Sequence, residues 1–245
     1  MEEISILANG TLTEKENTYS IAFSLYGSEE CSLINEARHL LHPYEWNQYE
    51  RYQYAKRKNS FLLGRISAKK AVSFYTGINP ISFYIKNGIF NQPELFDLGH
   101  SSSGISISHT DELGFSAAFD TCCSLGVDIE QITDPAAGYI YNYLTENEKN
   151  ISYSFHPVIL WAAKEALSKA LKVGLTSEFT IYEIKSIQPQ PKYLIINYTN
   201  FPQYKCLAIP IGNYVLSISI PSIADYDISE FINKLLSIRL LSLGY

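Results

Sequence analysis

The chain repeats itself. AKKAVS at 68–73 recurs as AKEALS at 163–168, which places Lys69 opposite Lys164. Upstream, Leu41 and Glu45 are spaced as Leu144 and Glu148 are; downstream, Thr76-Gly77-Ile78 resembles Val173-Gly174-Leu175, and ISIS at 105–108 resembles LSIS at 216–219. Each match is short, but all four keep one order, the mark of a duplicated unit of about 100 residues. Such a chain is confined to two similar halves, expected over residues 1–123 and 124–245.

Within each half the pattern is helices first and strands afterwards. Helical spacing of apolar positions runs through 44–75 and 139–172, with Gly77 and Gly174 as stop signals. Two-residue alternation, bounded by Gly, Pro, Asn or Asp, predicts strands at 81–85, 104–108, 114–119, 124–130, 192–198, 203–209 and 213–220. The apolar stripe of ISEFINKLLSIRLLSL at 228–243 predicts one more helix docked on the core. The first twenty residues are left unassigned. Helices packed on small, mainly antiparallel sheets, twice over, make an α+β fold of pseudo-dimeric form.

Composition excludes several classes of function. A net charge of −6 argues against a nucleic-acid binder. Positive charge is nevertheless concentrated in Arg51, Lys56, Arg57, Lys58, Arg65, Lys69 and Lys70, a segment that could attract phosphates or an acidic protein. No window approaches the ~18 uninterrupted apolar residues of a membrane span. MEEISILANG has neither the basic start nor the apolar stretch of a secretory leader. The four cysteines follow no metal spacing and are expected as reduced thiols, so a cytoplasmic protein is expected.

The chemistry is concentrated in two segments. In GVDIE at 126–130, strand alternation sends Asp128 and Glu130 to one face and Val127 and Ile129 to the other. Paired carboxylates repel, and folding does not reward that placement unless a hard cation sits between them. In WAAKEALSK at 161–169, Trp161, Glu165 and Lys169 share one helix face. By themselves Glu165 and Lys169 could be a surface ion pair worth ~0.3–0.5 kcal/mol. Following an acidic strand, the same helix suits metal-assisted phosphoryl transfer.

GVDIE followed by WAAKEALSK resembles the paired signature of the 4′-phosphopantetheinyl transferases, roughly G-[IV]-D-[ILV]-E and then [FW]-[SACT]-x-K-E-[AS]-x-x-K. SISHT at 106–110 resembles the serine–histidine segment of that family, and RKNSFLLGRISAKKA at 57–71 extends the likeness across most of residues 41–220. The resemblance implies transfer of the 4′-phosphopantetheine group from coenzyme A to a serine of an apo acyl or peptidyl carrier protein, with Mg2+ and with release of 3′,5′-ADP. It also implies roles for particular residues. Asp128 and Glu130 become metal ligands, and Glu148 becomes the third, with Glu146 as second choice. Glu165 becomes the base, acting directly or through metal-bound water, and Lys164 and Lys169 become phosphate-facing cations. Trp161 packs to hold the helix. Ser108 and His109 become coenzyme A contacts, joined by Arg57 and Arg65. A monomer is expected, with no nucleic-acid or membrane partner.

The chain also departs from that pattern. Many members carry Lys-Pro near the adenine, where this chain has Asn91-Gln92-Pro93; some carry two lysines near the positions of Glu45 and Gln48. The 3′-phosphate is therefore expected to rely on His109 and on Arg57, Lys58 or Arg65. Two other readings use the same residues: a metal-dependent phosphohydrolase, and a non-catalytic binder of coenzyme A or carrier proteins. Retention of both Asp128 and Glu165 argues against the second.

Overall fold

Ile4, Ile6, Ala8, Gly10 and Leu12 alternate inward along β1 (Ile4–Glu14), which forms a hairpin with β2 (Asn17–Gly27). These strands fill the stretch left unassigned above. Their turn has no Gly or Asn-Gly signal; Lys15 takes the positive φ of 56° instead. The computed structural model describes residues 3–99, 102–173 and 178–238. They divide into two units, one of Met1–Cys123 with Asp225–Leu235 and the other of Ser124–Ala224 with the residues from Leu236 onward.

After the hairpin, the first unit continues with α1 (Glu30–Leu40), α2 (Pro43–Arg51), α3 (Ala55–Thr76), β3 (Tyr84–Asn87), β4 (Pro93–Phe96), β5 (Ser103–His109) and β6 (Gly114–Asp120). The second unit holds β7 (Gly126–Gln131), α4 (Asp134–Tyr141), α5 (Glu146–Ser152), α6 (Pro157–Ala170), β8 (Ile184–Pro189), β9 (Leu194–Tyr198), β10 (Tyr204–Ile211) and β11 (Tyr214–Pro221). The chain then returns to the first unit through β12 (Asp225–Asp227) and α7 (Ser229–Ser237). The sheets run β12-β1-β2-β6-β5 and β7-β11-β10-β9-β8, with every pairing antiparallel.

The expected second half, 124–245, is corrected by that return. β12 pairs with β1, and the Phe231 ring of α7 stacks on Phe23 and Phe115, so residues 225–235 complete the first unit. The helix expected over 228–243 is α7 as far as Ser237; residues 239–243 lie outside the described residues, as does the Gly174 stop signal. The two long helical spans are also broken. Residues 52–54 separate α2 from α3, and α4, α5 and α6 each begin at a capping residue (Thr133, Thr145 and His156).

The repeat is real inside the units, and its centre is a buried ion pair. In the first unit Lys69 Nζ lies 2.9 Å from Glu45 Oε2, both side chains wholly buried. Glu45 accepts from the N–H of His42, closing the start of α2, and from the N–H of Ile85 on β3. In the second unit Lys164 Nζ lies 2.7 Å from Glu148, which accepts from Thr145 N–H at the start of α5 and from Ile184 N–H on β8. Lys69 also donates to the carbonyls of Pro80 and Phe83, and Lys164 to that of Phe179. The ISIS–LSIS match does not correspond in the same way. ISIS lies on β5 at a sheet edge, whereas LSIS lies on β11 between β7 and β10.

A buried pair that loses one partner strands the other charge. Lys164→Met and Lys69→Met are each expected to lower unfolding free energy by about 3–5 kcal/mol, read from urea midpoints. A loss under about 1 kcal/mol in both variants would show that the pairs are dispensable.

Candidate active site

The site is built from the edge strand β7 and the facing surface of α6. A Cβ on Gly126 would collide with the backbone of Ala166 and Ala170, so glycine is what lets β7 lie directly against α6. Two residues further along, Asp128 is completely buried opposite Ser217, and Glu130 is half-buried opposite Val215. On the helix, Lys164 points into the core, and this sets the rotation that brings Glu165 and Lys169 to the β7 side. Asp128, Glu130 and Glu165 each bring one carboxylate oxygen to within 4.8 Å of the others. Lys169 Nζ is 2.6 Å from Asp128 Oδ1 and 4.0 Å from Glu165 Oε2.

This geometry changes two expectations. Glu148 lies outside the carboxylate group. Its oxygens hold Lys164 and the N–H groups of Thr145 and Ile184, so it closes a cap and an ion pair instead of serving as the third ligand. Glu165, expected as a base, is the residue whose carboxylate joins Asp128 and Glu130. Lys164 does not face a phosphate, because it is fully buried between Glu148 and the Phe179 carbonyl. Glu146 pairs with Lys149 at the exposed end of α5. Trp161 stacks on Phe179 at 4.0 Å between ring centres, consistent with its expected packing role.

The remaining predicted residues belong to the first unit. Arg65 on α3 is buried, its Nε 3.7 Å from Glu45 Oε1 and its guanidinium 5.1 Å from the Phe61 ring centre. Burial pushes the Arg65 pKa down from its usual value, while Glu45 works the other way. Arg57 is exposed and lies over the Tyr52 ring. Ser108 is buried and His109 exposed at the end of β5. A Cβ on Gly64 would lie 3.3 Å from the His109 ring, so that glycine gives the imidazole its place against α3.

The carboxylate group is electrostatically loaded. Burial first, then the charges of Asp128 and Glu165, push Glu130 up to about 8. Burial and Asp128 push Glu165 up to about 7, against the pull of Lys169. Burial opposes the charge on Lys169, but Asp128 and Glu165 outweigh it and leave the ammonium above its usual range. Three carboxylates without histidine or cysteine suit a hard, oxygen-seeking ion such as Mg2+ and do not suit zinc. Among the described residues no helix is long and apolar enough to cross a membrane.

Residues 124–219, which include Asp128, Glu130, Glu165 and Lys169, match the family model described as ACPS, the 4′-phosphopantetheinyl transferase superfamily. No curated protein matches. Among solved structures, a holo-(acyl-carrier-protein) synthase from Bacillus anthracis str. Ames, in complex with CoA (3′,5′-ADP), is similar at 20% identity and a TM-score of 0.37. That similarity covers 41% of this chain and 93% of the other.

Glu130 and Glu165 are raised above the ordinary glutamate value of 4.5, so their contribution to stability is fully present below that value. It is lost as pH rises through about 7 and about 8. Without divalent ions, Glu130→Gln is therefore expected to melt above the parent by a margin that widens from about pH 5 to about pH 8. Mg2+ should raise the parent's midpoint chiefly at the upper end and leave Glu130→Gln little changed. A margin independent of pH in differential scanning fluorimetry would contradict this.

Proposed function

We propose, from the match of residues 124–219 to the 4′-phosphopantetheinyl transferase superfamily model, that this chain transfers the 4′-phosphopantetheine arm of coenzyme A to a serine of an apo acyl or peptidyl carrier protein. The observation that carries the reading is the meeting of Asp128, Glu130 and Glu165 beside Lys169. In the reaction the serine oxygen forms a bond to the β-phosphorus of coenzyme A. The bond from that phosphorus to the bridging oxygen breaks, and 3′,5′-ADP leaves with the electron pair. Mg2+, held by Asp128, Glu130 and Glu165, supplies charge neutralisation at the pyrophosphate when bound.

The chain's own groups do the rest. The serine proton needs an acceptor, and Glu165, acting directly or through a water molecule, is the one we assign. Lys169 offers its ammonium to the phosphate oxygens. For coenzyme A contacts in the first unit we assign Arg57, Arg65, Ser108 and His109. Two guanidiniums on one helix, with Glu45 already committed to Lys69, leave positive charge that a phosphate would offset. Since one chain carries both halves of the duplication, a monomer is the working unit, and free thiols at all four cysteines agree with the cytoplasm.

The carrier is assigned to the exposed part of the basic segment. Lys69 is buried against Glu45 and Lys70 is held 2.6 Å from Glu36, so their charge is used internally, and buried Arg65 is out of a carrier's reach. Lys56 and Lys58 remain toward solvent, Lys56 beside exposed Asp111 and Lys58 over the Tyr49 ring. Carrier proteins of this kind are acidic, and an enzyme of net charge −6 would attract them only through such a local patch.

The decisive experiment incubates the protein with coenzyme A, Mg2+ and a panel of apo carriers and measures their intact mass. The mass of the phosphopantetheine arm should appear on the carrier serine; no addition on any carrier, with free phosphopantetheine released instead, would favour hydrolysis. Asp128→Ala should lower transfer by ~10³-fold or more. Glu165→Gln should depress turnover far more than coenzyme A affinity. Lys56→Glu or Lys58→Glu should raise the Michaelis constant for the carrier but not for coenzyme A. That rise should fade as the Debye length shrinks from ~10 Å at 0.1 M salt to ~3 Å at 1 M.

A further inference from the structure

Lys169 is bound mainly across the site and only secondarily along its helix. Its ammonium is 2.6 Å from Asp128 on β7 but 4.0 Å from Glu165 one turn away on α6. The two partners in the shorter contact differ in freedom. Asp128 is fixed by complete burial, whereas the Lys169 side chain keeps 26% of its surface in solvent and hangs on a flexible four-carbon stem. The arrangement therefore has one immobile anion and one cation able to leave.

A divalent ion drawn to Asp128, Glu130 and Glu165 must come within a few ångströms of that ammonium. The ion carries twice the positive charge, is attracted correspondingly more strongly by each carboxylate, and repels the ammonium. We propose that Lys169 is the resident counter-ion of the carboxylate group and that a divalent ion evicts it from Asp128, freeing the ammonium for the phosphate of the substrate. The proposal rests on the metal reading given above. The eviction couples two ligands through one side chain. Lys169 opposes the ion when no phosphate is present and assists it once a phosphate is there to receive the ammonium; by linkage, ion and phosphate strengthen each other's binding.

Mn2+ binding to the full chain, followed by the paramagnetic signal of the free ion, tests this without reference to turnover. In the absence of coenzyme A, Lys169→Met is expected to bind Mn2+ about tenfold more tightly than the parent, since a unit charge beside the site is gone. Lys169→Gln should agree with it, and Lys169→Arg, which keeps the charge, should bind as the parent does. Coenzyme A should tighten Mn2+ binding more in the parent than in Lys169→Met. Asp128→Asn, run alongside, should abolish binding. If Asp128→Asn abolishes binding but neither uncharged variant tightens it, the exchange is wrong and the metal site stands. If Lys169→Arg tightens binding as much as Lys169→Met, charge is not the cause and the exchange is again wrong. If Asp128→Asn binds Mn2+ as the parent does, the metal reading and the exchange fall together.

Discussion

A single carboxylate in each unit ties together three elements that are distant in sequence. Glu148 closes the first turn of α5, accepts from the first residue of β8 and neutralises Lys164 from the middle of α6. Glu45 does the same for α2, β3 and α3. Taking two charges out of water is expensive, and the attraction between them offsets the cost only when the remaining donors and acceptors are also satisfied. Here they are, by backbone groups on both sides. The consequence for α6 is rotational. With Lys164 anchored inward, the next residue and the one a turn beyond it, Glu165 and Lys169, must fall on the side facing β7. The pair is therefore structural, and the placement of Glu165 one residue along depends on it.

Given a common frame, the units differ in what they place on the equivalent face. Ser24 of β2 faces Ser116 as Asp128 of β7 faces Ser217, and Lys70 follows Lys69 as Glu165 follows Lys164. In the first unit Lys70 lies over the Tyr26 ring and pairs with Glu36; Tyr26 stands two residues past Ser24, as Glu130 stands two past Asp128. Serine, tyrosine and lysine replace three carboxylates, and that face has lost the donor set a hard cation requires. The two units share the scaffold pair and differ in the side chains beside it.

That division explains what could be read from the sequence. Strong local signals were legible: the paired GVDIE carboxylates, the helical spacing of Glu165 and Lys169, and the repeat that set Lys69 against Lys164. Glu148 was matched with Glu45, and its carboxylate lies with Lys164 and two backbone N–H groups, apart from Asp128 and Glu130. A glutamate at the third position of a helix looks alike in sequence whether it binds a metal or closes a cap, and only the burial of Lys164 distinguishes the two. Its cap signature, Thr145 followed by Glu148, was visible, and the shared spacing with Glu45 could have marked it as structural. β1 and β2 were missed because their hairpin turn uses Lys15 and Glu16, residues without turn preference. The return of β12 and α7 to the first unit has no local signal at all; it depends on stacking of Phe231 with residues more than a hundred positions away.

The three carboxylates differ from the two scaffold pairs. There a buried charge meets its partner at hydrogen-bonding distance, whereas Glu130 and Glu165 are pushed up toward neutrality by burial and by the company of other acids that one lysine cannot offset. Such local conflict, held in place by an otherwise consistent fold, is characteristic of sites kept for function. The low dielectric that raises those two carboxyls also strengthens their hold on any cation that enters, so burial works against the metal-free fold and for the loaded one. β7 is an edge strand, with only β11 beside it. Without a Cβ at Gly126, β7 lies directly against α6, and that closeness is what holds the carboxylates of the two elements near one another. Positive charge arriving among them is what relieves their repulsion.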